Sequence, residues 1–273
     1  MINPQTKTLL IFSFLGLLFL GIGYIIAGFY GLIIGLIIAL ILNLISYYNS
    51  KDIVLSSYPL EKIKDKEIIE IFERITKKAK MPMPEIYYAL VNYPNAFATG
   101  RDPNNSAVVL TKPLVNLLDK KELEAVIAHE LGHIYNRDVL IQTVAAVLGS
   151  ALTFFVEFAL WFGNDEDTSW WQILLIYLAV IILVPIIQLA ISREREYLAD
   201  EFSAKITKDP DSLISALIKI EEFYKQESKH LFIKPSHQHL MIFSPSELFS
   251  THPPIEKRIK RLKELKKKIN KSL

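Results

Sequence analysis

Residues 125–138 read AVIAHELGHIYNRD, and the chain then runs straight into VLIQTVAAVLG at 139–149. His129 and His133 stand four apart, so a helix puts both imidazoles on one face, where one ion can bridge them. Glu130 sits beside the first histidine, within reach of a metal-bound water. A zinc ion lowers the pKa of such a water to about 7, and a neighbouring carboxylate can take its proton. The helix is expected over Asp119–Asp138, with Asp119 as its cap and Glu122 three residues on completing a capping box. Its far end meets an apolar run, so the motif raises two questions together: which ligand completes the metal site, and whether the chain enters a membrane.

Composition answers the second question first. The chain has 273 residues, 51% of them apolar, and a mean hydropathy of +0.27, which is high for a soluble protein and points to membrane spans. The stretch Leu9–Ile45 has no charged residue and is nearly twice the length one span needs, far beyond a cleavable signal. Two helices are expected, 8–26 and 29–47, with a hinge at Ala27-Gly28. Two more spans are expected within 139–162 and 171–191, the second carrying Pro185. Between them lies the acidic loop GNDEDTS, bordered by Trp161, Trp170 and Trp171 at headgroup level. Lys51, Arg137, Arg193 and Arg195 lie at the opposite ends of the spans, so the positive-inside rule places both termini and the motif in the cytoplasm.

The rest of the chain reads as one domain in two pieces. The expected organisation is a membrane hairpin at 8–47, a first catalytic part at 51–138, a second hairpin at 139–191 and a second catalytic part at 192–273. Pro59–Lys80 reads as an amphipathic helix ended by MPMP, while 85–91 and 107–111 read as strands around a turn-rich stretch. Helices are expected from the last span through SREREYLADEFSAKIT, over Asp211–Glu227 and over Pro254–Lys268, with 229–248 as loop.

Net charge is only +2, which gives no basic body for nucleic acid, and none is expected as a partner. Cysteine is absent, which excludes disulfides, a thiolate metal site and a cysteine nucleophile. Any metal must be held by His, Asp or Glu, and a catalytic zinc usually takes three protein ligands. Glu196, just after the last span, is the best third ligand on spacing, with Glu194 as its local competitor. Asp200 follows Glu196 by one turn and can accept the free N–H of a ligand histidine.

HELGH followed by NRD, then SREREYLAD, then STHPPIEKRI, resembles the HtpX-like family of membrane zinc endopeptidases, related to the CAAX prenyl proteases. NAFATGR at 95–101 resembles it too, and four spans in a two-plus-two arrangement match its order. The resemblance implies a mainly α, α+β zincin-like cytoplasmic catalytic domain on an α-helical membrane protein. It implies one catalytic Zn²⁺ with Glu196 as third ligand and Asp200 as its partner. It further implies that His252 and Arg258 of STHPPIEKR line the active site, where His252 can donate to the carbonyl oxygen as charge develops. From the residues alone, His252 as a helix cap and Arg258 as a solvated face residue stay open. The strand region 85–100 resembles the cleft border of such peptidases, with Asn95 the candidate substrate contact.

The expected function is zinc-dependent cleavage of membrane proteins, misfolded or damaged ones by the resemblance, at the cytoplasmic face of the cell membrane. Expected partners are polypeptide substrates, the bilayer and membrane quality-control proteins. The alternatives are a CAAX-type processing peptidase, a catalytically silent zinc scaffold and a signalling module whose peptidase domain acts on one dedicated partner. Three weaker features stay open: the pair His237 and His239 in a polar loop, Glu157 inside an apolar run, and the basic tail EKRIKRLKELKKKINK, either on anionic headgroups or simply solvated.

Overall fold

A computed structural model describes residues 4–137, 170–227 and 253–272. The expectations for the third span, the GNDEDTS loop, Trp161, Glu157, the 229–248 loop, His237, His239 and His252 lie outside these residues. The chain divides into two compact units, one of 1–50 with 141–190 and one of 51–140 with 191–273.

In the first unit, helix α1 spans Pro4–Leu55 and helix α5 begins at Trp170, running through Pro185 into the second unit as far as Thr207. Gly28 has φ +56, a left-handed backbone inside α1 at the expected hinge. Taken over the fully described residues alone, no helix is long and apolar enough to cross a membrane. Many side chains of α1 and of the first half of α5 fall outside that set. Those described include exposed Phe29, Tyr30, Leu40, Leu44, Trp171 and Leu175.

The second unit is built on a four-stranded sheet of order β1-β2-β4-β3, with β1 Leu60–Lys62, β2 Glu85–Ala89, β3 Ala96–Asp102 and β4 Asn105–Thr111. β2 and β4 are parallel, and both edge strands are antiparallel to their neighbours. The sheet has four strands where two were expected. Helix α2 is correspondingly shorter, Lys66–Ala79, because Leu60–Lys62 pairs with β2 and Asp65 caps the helix by accepting from the Glu67 N–H. The irregularity in β3 between Gly100 and Asp102 requires glycine at 100: its φ is +135, and a Cβ there would lie 2.2 Å from the Asn105 carbonyl oxygen.

Among the described residues, four further helices belong to this unit: α3 Lys112–Leu117, α4 Lys120–Tyr135, α6 Pro210–Glu227 and α7 Ile255–Ser272. The main core packs Ile71, Phe72 and Ile75 of α2, Val108 and Leu110 of β4, Val126, Ile127 and Leu131 of α4, and Leu213, Leu217 and Ile220 of α6. Val109 points the other way, into a smaller cluster with Val54, Tyr58, Ala89 and Phe97. Both faces of β4 are thus covered, which explains its unbroken apolar run. Helix α4, the motif helix, packs across this core against β3 and α6.

The capping box of α4 forms: Asp119 Oδ1 accepts from the Lys121 and Glu122 N–H groups, and Glu122 Oε2 accepts from the Asp119 N–H at 2.8 Å. Glu122 also receives bonds from Ser215 at 2.6 Å and Lys219 at 2.7 Å, fixing the start of α4 to α6. The other end corrects the expected helix. It stops at Tyr135, and Arg137 takes φ +58, a left-handed stop of the common C-terminal kind. The motif helix therefore ends before the apolar run of the sequence begins at 139.

Candidate metal centre

His129 and His133 lie on one face of α4, both buried, with their rings edge to face and Nε2 atoms 3.2 Å apart. Glu196 comes from α5 and is 1% exposed. Its Oε2 lies 3.4 Å from His129 Nε2 and its Oε1 lies 3.4 Å from His133 Nε2. The two helices meet closely because small residues line the seam. A Cβ on Gly132 would lie 3.1 Å from Ala199 Cα and from Phe202 Cβ. Ser203 donates its hydroxyl to the Ala125 carbonyl at 2.7 Å, tying α5 to α4 one helical turn before His129.

His129, His133 and Glu196 form a group of donors lying within 4.8 Å of one another among the described residues. A tetrahedral ion with bonds of about 2.0–2.1 Å has donor–donor edges of roughly 3.3–3.4 Å. The three separations here, 3.2, 3.4 and 3.4 Å, fit one face of such a tetrahedron, though the two involving Glu196 use different oxygens. Glu194, the competitor on spacing, is exposed and is not in this group.

Asp200 Oδ1 lies 3.0 Å from His129 Nδ1. With the proton on Nδ1, Nε2 keeps its lone pair facing Glu196 and His133, the tautomer a metal ligand needs. Arg258 of α7 then closes the constellation. Its Nε and Nη2 donate to the two Asp200 oxygens at 2.9 and 2.6 Å, and its Nη1 lies 3.3 Å from Glu196 Oε2. Arg258 is 1% exposed and Asp200 is 2% exposed, so this is a buried two-point ion pair.

The electrostatics follow from that packing. Burial opposes charge on Asp200, but Arg258 and His129 outweigh it and hold its carboxyl below the usual range. Burial likewise opposes protonation of His129, and its bonds to Asp200 and Glu196 outweigh it, raising its pKa. For Arg258, burial is outweighed by Asp200 and Glu196, with Glu130 contributing, and the guanidinium stays charged.

The other expected site residues fall as follows. Glu130 is buried beside His129 on α4. Asn95 is fully buried just before the edge strand β3. Its N–H donates to Thr111 Oγ1 at 2.8 Å and its carbonyl accepts from the Thr111 N–H at 3.0 Å, so both of its backbone polar groups are engaged with the end of β4. Gly132 and Ser203 were not among the expected site residues. The glycine inside HELGH was the only local hint of a close approach.

The profile of peptidase family M48 matches residues 62–266, the segment that contains all the residues of this constellation. The chain is 46% identical to the Protease HtpX homolog of Pyrococcus abyssi, covering 95% of each chain. It is 46% identical to that of Pyrococcus furiosus, covering 97% of this chain and 96% of the other, and 44% identical to that of Aquifex aeolicus, covering 94% and 91%. Among solved structures it resembles Ste24p of S. mikatae with a TM-score of 0.52 and 20% identity, a likeness of fold covering 83% of this chain and 57% of that one. A family profile spanning the motif helix, the Glu196 helix and the Arg258 helix, with relatives aligned almost end to end, means that the chain belongs to peptidase family M48 and is a metalloprotease, a hydrolase of peptide bonds.

Proposed function

We propose that this chain is an integral membrane zinc endopeptidase that cleaves membrane proteins, damaged or misfolded ones among them, at the cytoplasmic face of the cell membrane. The observation that carries the reading is the buried triangle of His129, His133 and Glu196 with Glu130 beside it. The donor set is two imidazoles and a carboxylate in a chain without cysteine, which favours zinc. When bound, the ion acts as a Lewis acid toward water and the scissile carbonyl.

The protein's own groups do the rest. His129, His133 and Glu196 hold the ion. Asp200 keeps the proton on His129 Nδ1, and Arg258 holds Asp200 and Glu196 in place. Glu130 accepts a proton from the attacking water and returns it to the leaving amine. His252 donates to the carbonyl oxygen as negative charge builds there. An extended substrate pairs with the β3 edge of the sheet by main-chain hydrogen bonds.

The membrane part of the reading rests on the first unit. Large apolar side chains at Phe29, Tyr30, Leu40, Leu44, Trp171 and Leu175 are 55–78% exposed, a surface that water does not favour and lipid does. We assign the four spans to 8–26, 29–47, 139–162 and 171–191, with both termini cytoplasmic.

Detergent-purified chain with added zinc, offered an unfolded protein such as casein, tests this beside Glu130→Gln. Cleavage by the wild type, with Glu130→Gln holding zinc but inactive, is the expected result. One bound zinc in both proteins and cleavage by neither would turn the site into a silent scaffold. Absence of zinc from both would remove the metal reading.

A further inference from the structure

Helix α7 concentrates the chain's positive charge. It carries nine basic and two acidic residues, a net +7 in a chain whose total is +2, so all other residues together are net −5. One face is docked, with Ile255, Arg258 and Leu262 buried. Arg258 is taken by Asp200, and Lys266 pairs with Asp211. The opposite face exposes Lys257, Lys260, Arg261, Lys263, Lys267 and Lys268, with only Glu256 and Glu264 among them. At 3.6 residues per turn these positions sweep about 160° of the helix. No fully exposed apolar side chain lies on this arc, so the face is suited to adsorb on a charged surface and not to insert.

A groove lies between this face and the part of α5 that belongs to the second unit, with a volume of about 430 Å³. Tyr197, Leu265 and Ile269 give it apolar lining, and Lys205, Arg261 and Lys268 give it three cations, against Glu201 and Glu264. Glu201 is bonded to Lys205 at 2.6 Å, and the Arg261 guanidinium lies over the Tyr197 ring at 4.1 Å. A phosphate between the cations, with glycerol carbons on the apolar lining, suits this combination.

We propose that the exposed basic face of α7, with this groove, binds anionic phospholipid headgroups. Charge complementarity selects this occupant: the arc carries the cations that an otherwise acidic chain concentrates in one helix, and each basic residue within a Debye length of an anionic leaflet adds attraction. Nucleic acid is the weaker match, since α7 has no aromatic side chain on which bases could stack. The proposal also rests on the membrane reading above.

Because the chain has no cysteine, Glu256→Cys provides a single labelling site on the basic arc. The labelled full chain is placed in nanodiscs of phosphatidylcholine, or of phosphatidylcholine with phosphatidylglycerol, each containing a headgroup-quencher lipid. Quenching should be several-fold stronger in the anionic discs and should vanish at high salt. It should also be lost when Lys260, Lys263, Lys267 and Lys268 are all changed to Gln, with the thermal unfolding of the protein unchanged. Equal quenching in both discs, or none in anionic discs, overturns the proposal. So does a salt-sensitive response to added RNA in neutral discs with no response to anionic lipid. Release of the whole chain from the discs at high salt would instead remove the membrane reading, and this proposal with it.

Discussion

Arg258 and Asp200 form a two-point ion pair in the interior, 2.9 Å from Nε to Oδ2 and 2.6 Å from Nη2 to Oδ1, joining α7 to the helix that carries Glu196. Removing the cation leaves two carboxylates, Asp200 and Glu196, buried beside each other's field. Breaking a buried pair from one side costs about 3–5 kcal/mol. Arg258→Ala is therefore expected to lower the unfolding free energy of the second unit, read from denaturant melts, by an amount in that range. Arg258→Lys should recover part of the loss, since it restores charge without the fork. A change of less than about 0.5 kcal/mol in the alanine variant would mean that the pair does not hold the site.

Asp200→Asn addresses the tautomer of His129. The amide keeps the shape but can present N–H to Nδ1, and it removes the anion that holds the proton there. Loss of such a partner typically weakens metal binding about 10–100-fold. Chelator competition for zinc should show that drop, while Glu194→Gln, on the exposed side of the same helix, should leave affinity unchanged. Equal affinities for Asp200→Asn and wild type would remove Asp200 from the metal's support.

The parts of this site legible in the sequence are those set by local periodicity. The i, i+4 histidines, the Asp119–Glu122 capping box and the four-residue step from Glu196 to Asp200 each depend on one helix turn, and each is found in the structure. What escaped depends on pairing between distant segments. β1 is three residues long and reads LEK, so its strand state comes from its pairing with β2. β3 reads AFATGRD after NYPN and has no clean alternation; its burial comes from β4 and from α4 packed over it. The short helix α3 did carry a local sign, Thr111 as cap and Pro113 in the first turn, yet six residues give no period to detect. Spacing and the family resemblance already favoured Glu196 over Glu194, and it is Glu196 that the packed helices bring beside the two histidines.

Gly132→Ala tests the seam that brings α4 and α5 together. The added Cβ would meet Ala199 Cα and Phe202 Cβ at 3.1 Å, backbone or near-backbone atoms that cannot swing aside. Overpacking of this kind costs about 1–3 kcal/mol. Since the seam sets the distance from the histidines to Glu196, zinc affinity should fall together with stability. Ser203→Ala removes only a hydroxyl donor to the Ala125 carbonyl and should cost about 0.5–1.5 kcal/mol. A Gly132→Ala protein with unaltered melting and zinc binding would show that the seam has slack.

Glu122 sets how the start of α4 responds to acid. Burial works against its ionised form, but the bonds from Lys219, Ser215 and the Asp119 N–H outweigh burial and hold its pKa below the ordinary value. The sign follows from linkage: a carboxyl with a lowered folded pKa stabilises the protein above the unfolded value, about 4.3, and that contribution is lost as pH falls through the folded value. Thermal midpoints measured from neutral pH down to about pH 3 should therefore fall more steeply for the wild type than for Glu122→Gln. The variant keeps an acceptor for the Asp119 N–H but has no charge to lose. The two curves should differ most near neutral pH and converge at the acid end. Asp102 is also held low, by Asn105 and Arg101, and titrates alike in both proteins, so it cancels in the comparison. Parallel curves across the whole range would show that the charge on Glu122 contributes nothing to anchoring α4 on α6.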